Sequence, residues 1–241
     1  MRWALGKQNF AVLFDNGGNN INGFQHSGQR RDKGNAILSL LCCQLKPCRS
    51  LRVKNKQPWV QPLSQLPLSL KPIVAMQQKH YGSVLNPTRW WGRMPRLFWL
   101  VALFVGYLER KKARLDPTLR ALLMTRVSQQ CDCAFCIDAN SLRLAQRSGA
   151  MDKVLALADW HTSTLFSPAE RAALGYADAV TATPPRVSDE QKISLHCHFS
   201  NEQITEMTAL VAFQNLSARF NAALEIPSQG LCRTDGDSHA R

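Results

Sequence analysis

The chain has 241 residues, of which 45% are hydrophobic and 20% charged, with eight cysteines and a formal net charge of +13. This is globular material, enough for one substantial core plus an appendage, and the cysteines lack the dense spacing of a small secreted scaffold. The charge is uneven: up to Ala75 there are 11 basic residues against Asp15 and Asp32, a net of +9, which leaves +4 for the rest. A mildly basic domain without a recognisable nucleic-acid module excludes nucleic acid as the expected partner.

Residues 1–71 read as a poorly structured N-terminal extension. Asn16 to Gly23 is a run of structure breakers, Gln29 to Gly34 is charged, and Pro58, Pro62 and Pro67 punctuate the end. A transit peptide is conceivable from the acidic-poor, arginine-containing composition, but the Gly/Asn-rich start spoils an amphipathic helix. The preferred account is a disordered extension, or an upstream stretch before a start near Met76. No charged n-region with an apolar core and cleavage site opens the chain, so a reducing, cytoplasmic compartment is expected.

Residues 72–241 read as one all-helical domain with its motif core at 115–185. A helix over Ile73 to Tyr81 ends at Gly82, and Asn86 to Gly92 is a turn-rich aromatic connection. Leu97 to Leu108 is an apolar run of twelve, short of the about 20 residues that span a membrane. It reads as a buried core helix or an oligomer contact. Asp116 followed by Pro117 is a helix start, with Leu119, Leu122, Leu123 and Val127 at helical spacing. A second helix runs to Gly149 and a short one from Met151 to Trp160. Ser167 with Glu170 and Ser200 with Gln203 are capping boxes, and Ser188 starts another helix. No segment alternates as a strand does.

The chemistry gathers at Cys133 and Cys136. Thiols three positions apart on a helix have Cβ atoms roughly 5 to 6 Å apart, whereas a disulfide needs about 3.8 Å. Such a pair closes only where the backbone is adaptable, as in a helix's first turn. There, free N–H groups and the dipole also favour a thiolate. A reversible redox pair is the leading reading. Two others stand beside it: inert packing of small apolar residues, and zinc bound by Cys131, Cys133 and Cys136. A second ligand pair for zinc is not found in the sequence. In His196-Cys197-His198 the histidines lie two apart and point about 200° from each other on a helix, so they do not clasp one ion. No metal and no cofactor is expected.

Leu115-Asp-Pro-Thr-Leu-Arg120, Arg126-Val-Ser-Gln129, Cys133-Ala-Phe-Cys136-Ile-Asp138, Trp160, Leu165 to Leu174 and Phe213-Gln-Asn215 together resemble the carboxymuconolactone decarboxylase family, in its alkylhydroperoxidase D-like branch. The resemblance covers roughly residues 72 to 232. It implies an all-α bundle that assembles as a homo-oligomer, and a thiol-dependent peroxidase or disulfide-reductase activity with an external thiol reductant. It also implies the roles: Cys136 attacks the peroxide and Cys133 resolves the sulfenic acid, whereas helix-dipole reasoning alone favours Cys133 as nucleophile. The dithiol argues against lactone decarboxylation. Two positions depart from the peroxidase pattern. Asn140 stands where a histidine is expected, and Ala121 where a relay glutamate is. A neutral amide orients a thiol but does not exchange protons as imidazole does. Two alternatives remain: a non-catalytic helical oligomer binding a small apolar ligand, suggested by Trp90, Trp91, Phe98, Trp99 and Phe104, and a lyase or isomerase on the same scaffold.

Overall fold

In a computed structural model, residues 58–232 are described; the expectations for residues 1–57 lie outside them. Among the described residues there are nine α-helices and no strand: α1 (Lys71–Tyr81), α2 (Thr88–Trp91), α3 (Pro95–Leu108), α4 (Pro117–Gln130), α5 (Ala134–Ser148), α6 (Asp152–Ala156), α7 (Pro168–Thr181), α8 (Asp189–His196) and α9 (Asn201–Ala223).

The helix starts follow from local chemistry. Asp116 accepts hydrogen bonds from the N–H groups of Thr118 and Leu119 at 2.8 and 3.1 Å, capping α4. Ser167, Ser188 and Ser200 each form a complete capping box, with Glu170, Gln191 and Gln203 respectively. The ends of α1 and α5 fall at Gly82 and Gly149, with φ of 72° and 71°, a left-handed conformation that glycine adopts without a Cβ clash. The expected helix over Met151 to Trp160 is shorter: α6 stops at Ala156, and turns then swing Trp160 into the core. There its Nε1 donates to Asp178 Oδ2 at 3.2 Å.

Helix α4 is the central element and packs against α5, α7 and α9. Every residue from Leu119 to Thr125 is buried, as befits a helix enclosed on all sides. Its Leu122, Leu123 and Val127 meet Leu144 of α5, Leu174 of α7 and Met207 and Leu210 of α9 in the main core. Arg126 of α4 binds Asp178 of α7 in a two-pronged ion pair, at 2.7 and 2.8 Å.

Two further segments differ from expectation. Residues 58–70, read as part of the extension, are tied to the bundle. Trp90 Nε1 donates to Val60 O at 2.8 Å, Trp59 Nε1 to Ala223 O at 3.2 Å, and Leu70 is fully buried. Proline spacing suggested a disordered extension because local propensity does not register packing partners 30 or 164 positions away. Helix α3 is not a buried core helix in the single chain. Leu100, Leu103 and Tyr107 are 64%, 51% and 62% exposed, and Leu108 alone within the helix is buried. Its inner side rests on α9, where Phe104 meets Phe213 edge-on with ring centres 5.1 Å apart.

Candidate redox site and its cavity

The junction between α4 and α5 places the two thiols. Cys131 caps α4, Asp132 turns the chain with φ of 49°, and Cys133 is extended with φ −93° and ψ 96°. Aspartate tolerates the left-handed turn better than most side chains. Because Cys133 precedes the first helical residue, its side chain folds back over the first turn, where Sγ accepts from Cys136 N–H at 3.2 Å. The Cα atoms are 5.2 Å apart and the two sulfurs are joined as a disulfide. This is the adaptable backbone that such a pair requires.

The two sulfurs have different surroundings. Both side chains are buried, Cys133 completely. Cys136 lines a cavity of about 190 Å³ that Cys133 does not reach. Trp91, Phe98, Val101, Met124, Phe135 and Phe213 supply much of its apolar wall. Tyr81, Asn140, Arg143, Gln214 and Asn221 place polar atoms in it, and no acidic side chain among the described residues lines it. Asn221 of α9 donates from Nδ2 to Cys136 Sγ at 3.3 Å and accepts from Trp91 Nε1 at 3.1 Å. A buried donor aimed at sulfur favours the thiolate once the pair is reduced.

Asn140 is a fixed hydrogen-bonding post. Its Nδ2 donates to Ser128 Oγ at 3.0 Å, and its Oδ1 accepts from Arg143 Nη1 at 3.3 Å. Gln214 also donates to Ser128 Oγ, at 2.9 Å, and that hydroxyl donates to Met124 O at 2.6 Å. Ala121 lies in the main core with no exposed surface. Beyond Arg143, Glu109 is buried among three arginines. Its carboxylate lies 2.5 Å from Arg147, 3.5 Å from Arg120 and 3.9 Å from Arg143. Burial alone pushes this carboxyl up, but the arginines outweigh it and hold it below the ordinary range.

A C-terminal strap, residues 224–232, packs against the dithiol. Leu224, Ile226 and Leu231 pack in the cluster that contains both cysteines. Asp138 of α5 holds the strap: it accepts from Ser228 Oγ at 2.8 Å, Gln229 N–H at 2.9 Å and Cys232 N–H at 2.7 Å. Burial raises this carboxyl, yet the backbone N–H groups of Cys232, Leu231 and Gln229 and the Ser228 hydroxyl bring it below the usual carboxylate range. Cys131 sits beside the pair with Sγ 3.6 Å from Asn215 Oδ1; burial raises its thiol while Arg219 opposes. Among the described residues no group of three His, Cys, Asp or Glu side chains could hold a metal ion, and Cys197 is exposed at the end of α8.

Known proteins can be set against this geometry. The family model for the carboxymuconolactone decarboxylase family matches residues 95–179. The protein YnjA of Escherichia coli is 54% identical over 172 residues, covering 71% of this chain and 94% of the relative. The chain belongs to the carboxymuconolactone decarboxylase family. A Ralstonia eutropha protein described as an alkylhydroperoxidase AhpD core shares its fold, with a TM-score of 0.63 at 21% identity over 69% of this chain and 88% of that one. The debrominase Bmp8 does too, with a TM-score of 0.61 at 22% identity over 68% and 88%. The family is thus one of enzymes, and the alkylhydroperoxidase-like fold expected for this member is the one found. No helix among the described residues is long and apolar enough to cross a membrane.

Sequence reasoning located the dithiol and the helix that carries it but missed Asn221, Gln214, Glu109, Arg143 and the Asp138 clasp. Cys136, Asn140, Arg143 and Arg147 are spaced four, three and four apart, so one face of α5 carries them all. That polar stripe was a readable signal. Asn221 had none, because it approaches Cys136 from another helix.

Proposed function

We propose that the protein is a thiol-dependent peroxidase, a dithiol oxidoreductase that reduces hydroperoxides or partner disulfides through Cys136 and Cys133. The observation that carries this reading is the Cys133–Cys136 disulfide with Cys136 alone of the two facing the cavity. The Cys136 thiolate attacks the terminal peroxide oxygen and the O–O bond breaks. The alkoxide leaves, takes a proton from water and departs as an alcohol, and Cys136 becomes a sulfenic acid. Cys133 then attacks that sulfur, the S–O bond breaks, hydroxide leaves as water, and the disulfide forms. The two electrons come from the two thiols, and an external thiol reductant returns them by exchange. Asn140 and Ala121 give this site no proton relay of the histidine–glutamate kind. General acid–base help is worth about 10² to 10⁴ in rate, so turnover is expected to be slow.

The experiment is titration of the reduced full chain with cumene hydroperoxide. One equivalent should remove two thiols and yield the Cys133–Cys136 disulfide by peptide mapping. Cys136→Ser should abolish this, and Cys133→Ser should leave a sulfenic acid that dimedone traps. Peroxide consumption by Cys133→Ser/Cys136→Ser at the wild-type rate sinks the reading. The second reading, a non-catalytic oligomer that binds a small apolar ligand, is favoured by the aromatic cavity wall; a ligand-induced thermal shift that survives loss of both thiols supports it.

We also propose that α3 contacts further copies of the chain, because its exposed Leu97, Leu100, Leu103, Phe104 and Tyr107 form an apolar surface that water disfavours. Light scattering should show a multimer, and Leu100→Glu with Leu103→Glu should lower its mass. A wild-type monomer at micromolar concentration refutes this.

A further inference from the structure

Among the described residues the cavity wall carries one charged side chain, Arg143, and the position of that charge restricts what can occupy the space. Arg143 stands two helical turns beyond Cys136 on the same face of α5, about 10 Å along the axis. Asn140 Oδ1 is 3.3 Å from its guanidinium, Met124 Sδ 3.8 Å and Glu109 Oε1 3.9 Å, and the Tyr81 hydroxyl is hydrogen-bonded to it. Three of these are neutral. The fourth, Glu109, is held more closely by Arg147 and Arg120, at 2.5 and 3.5 Å. Arg143 therefore presents cationic charge to an apolar space that has no carboxylate in its wall. A guanidinium fork in such a place favours a planar anion, because the surrounding low dielectric strengthens a charge-assisted bidentate contact.

Size sets the other limit. An apolar cavity of about 150 Å³ accommodates benzene. The space of about 190 Å³ here admits one ring or a short alkyl chain with a small polar arm.

We propose that the ligand of this cavity is a small monocarboxylate with an apolar body, its carboxylate on Arg143 and its body among Trp91, Phe98 and Phe213. Resting on the peroxidase reading, the substrate class is then an organic hydroperoxide that carries a carboxylate at the end remote from the peroxide. The shared face of α5 allows that arrangement: the peroxide meets Cys136 while the carboxylate meets Arg143.

The test is isothermal titration of the oxidised full chain with 3-phenylpropionate and with its neutral isostere 3-phenylpropionamide. The acid should bind at least tenfold more tightly than the amide. Arg143→Gln should remove that preference while changing amide affinity less than twofold, Arg143→Lys should keep most of it, and Ala102→Trp should abolish binding of both. Equal affinity for acid and amide in the wild type, no binding of the acid, or a preference that survives Arg143→Gln overturns the proposal. The wild-type comparison needs no variant, so misfolding of a mutant does not decide it. Binding is read without turnover. Failure of peroxide reduction would therefore leave the carboxylate site standing, and failure of acid preference would leave the dithiol chemistry standing.

Discussion

Replacing Asn221 by leucine removes the one side-chain donor among the described residues that is aimed at Cys136, at 3.3 Å, in a position 2% exposed. Leucine keeps the branching and heavy-atom count of asparagine but is bulkier, so the loss of the donor is read on the same samples as any cost of overpacking. A hydrogen bond to a charged group contributes about 1.5–3 kcal/mol, and each 1.4 kcal/mol is tenfold in the thiolate population below its pKa. Alkylation of Cys136 at pH 7 should therefore slow by roughly tenfold to a hundredfold. The same change strips Trp91 Nε1 of its acceptor at 3.1 Å, which should cost about 1–3 kcal/mol of stability. The assay is peptide-resolved iodoacetamide labelling of the reduced chain between pH 5 and 10, with urea unfolding on the same samples. Asn221→Asp, an acceptor that repels a thiolate when ionised, should slow labelling further at neutral pH. A folded, destabilised Asn221→Leu whose labelling profile superimposes on that of the wild type would refute the argument: the amide would then be a packing element with no influence on the thiolate.

The Asp138 clasp gives a pH dependence. The group's folded pKa is depressed, so its contribution is complete above the unfolded value, about 3.9, and is lost as pH falls through the lower folded value. Protection factors for amide exchange across residues 226–232 should fall below about pH 4 in the wild type and already at pH 7 in Asp138→Asn; equal protection in both at pH 7 would show that the strap is held by its apolar contacts. Glu109→Gln leaves Arg147 and Arg120 buried without their carboxylate, at 2.5 and 3.5 Å, and should cost about 3–5 kcal/mol in urea unfolding. Its folded pKa is also depressed, so this stabilisation too is lost on acidification rather than at high pH. Ser200→Ala removes the cap that accepts from Gln203 N–H at 3.3 Å and should lower stability by about 1 kcal/mol with no effect on thiol labelling.

Much of the helical skeleton was legible because a helix start is a local event. A serine and a glutamine three positions apart satisfy each other's backbone groups whatever lies elsewhere in the chain, and Ser200 with Gln203 do so here. The placement of Cys133 at the mouth of α5 was legible from local geometry too, because two thiols three positions apart can join only on the adaptable backbone of a helix's first turn. The end of α6 was not, since Trp160 leaves the helical path to reach Asp178 on α7. Nor was the exposure of α3. Twelve apolar residues in a row look like core, and only the arrangement of the other helices decides which side of them is covered.

The sequence by itself determined the helices, the family and the identity of the two thiols, because capping, hydrophobic spacing and a dithiol motif all act within a few residues. Tertiary structure decided which sulfur meets the cavity, which amide from α9 touches it, how one carboxylate is shared among three arginines, and what holds the strap against the dithiol. Each of these depends on a contact between residues far apart in the chain. Such contacts are set by how whole helices pack, and no short window of sequence records that packing.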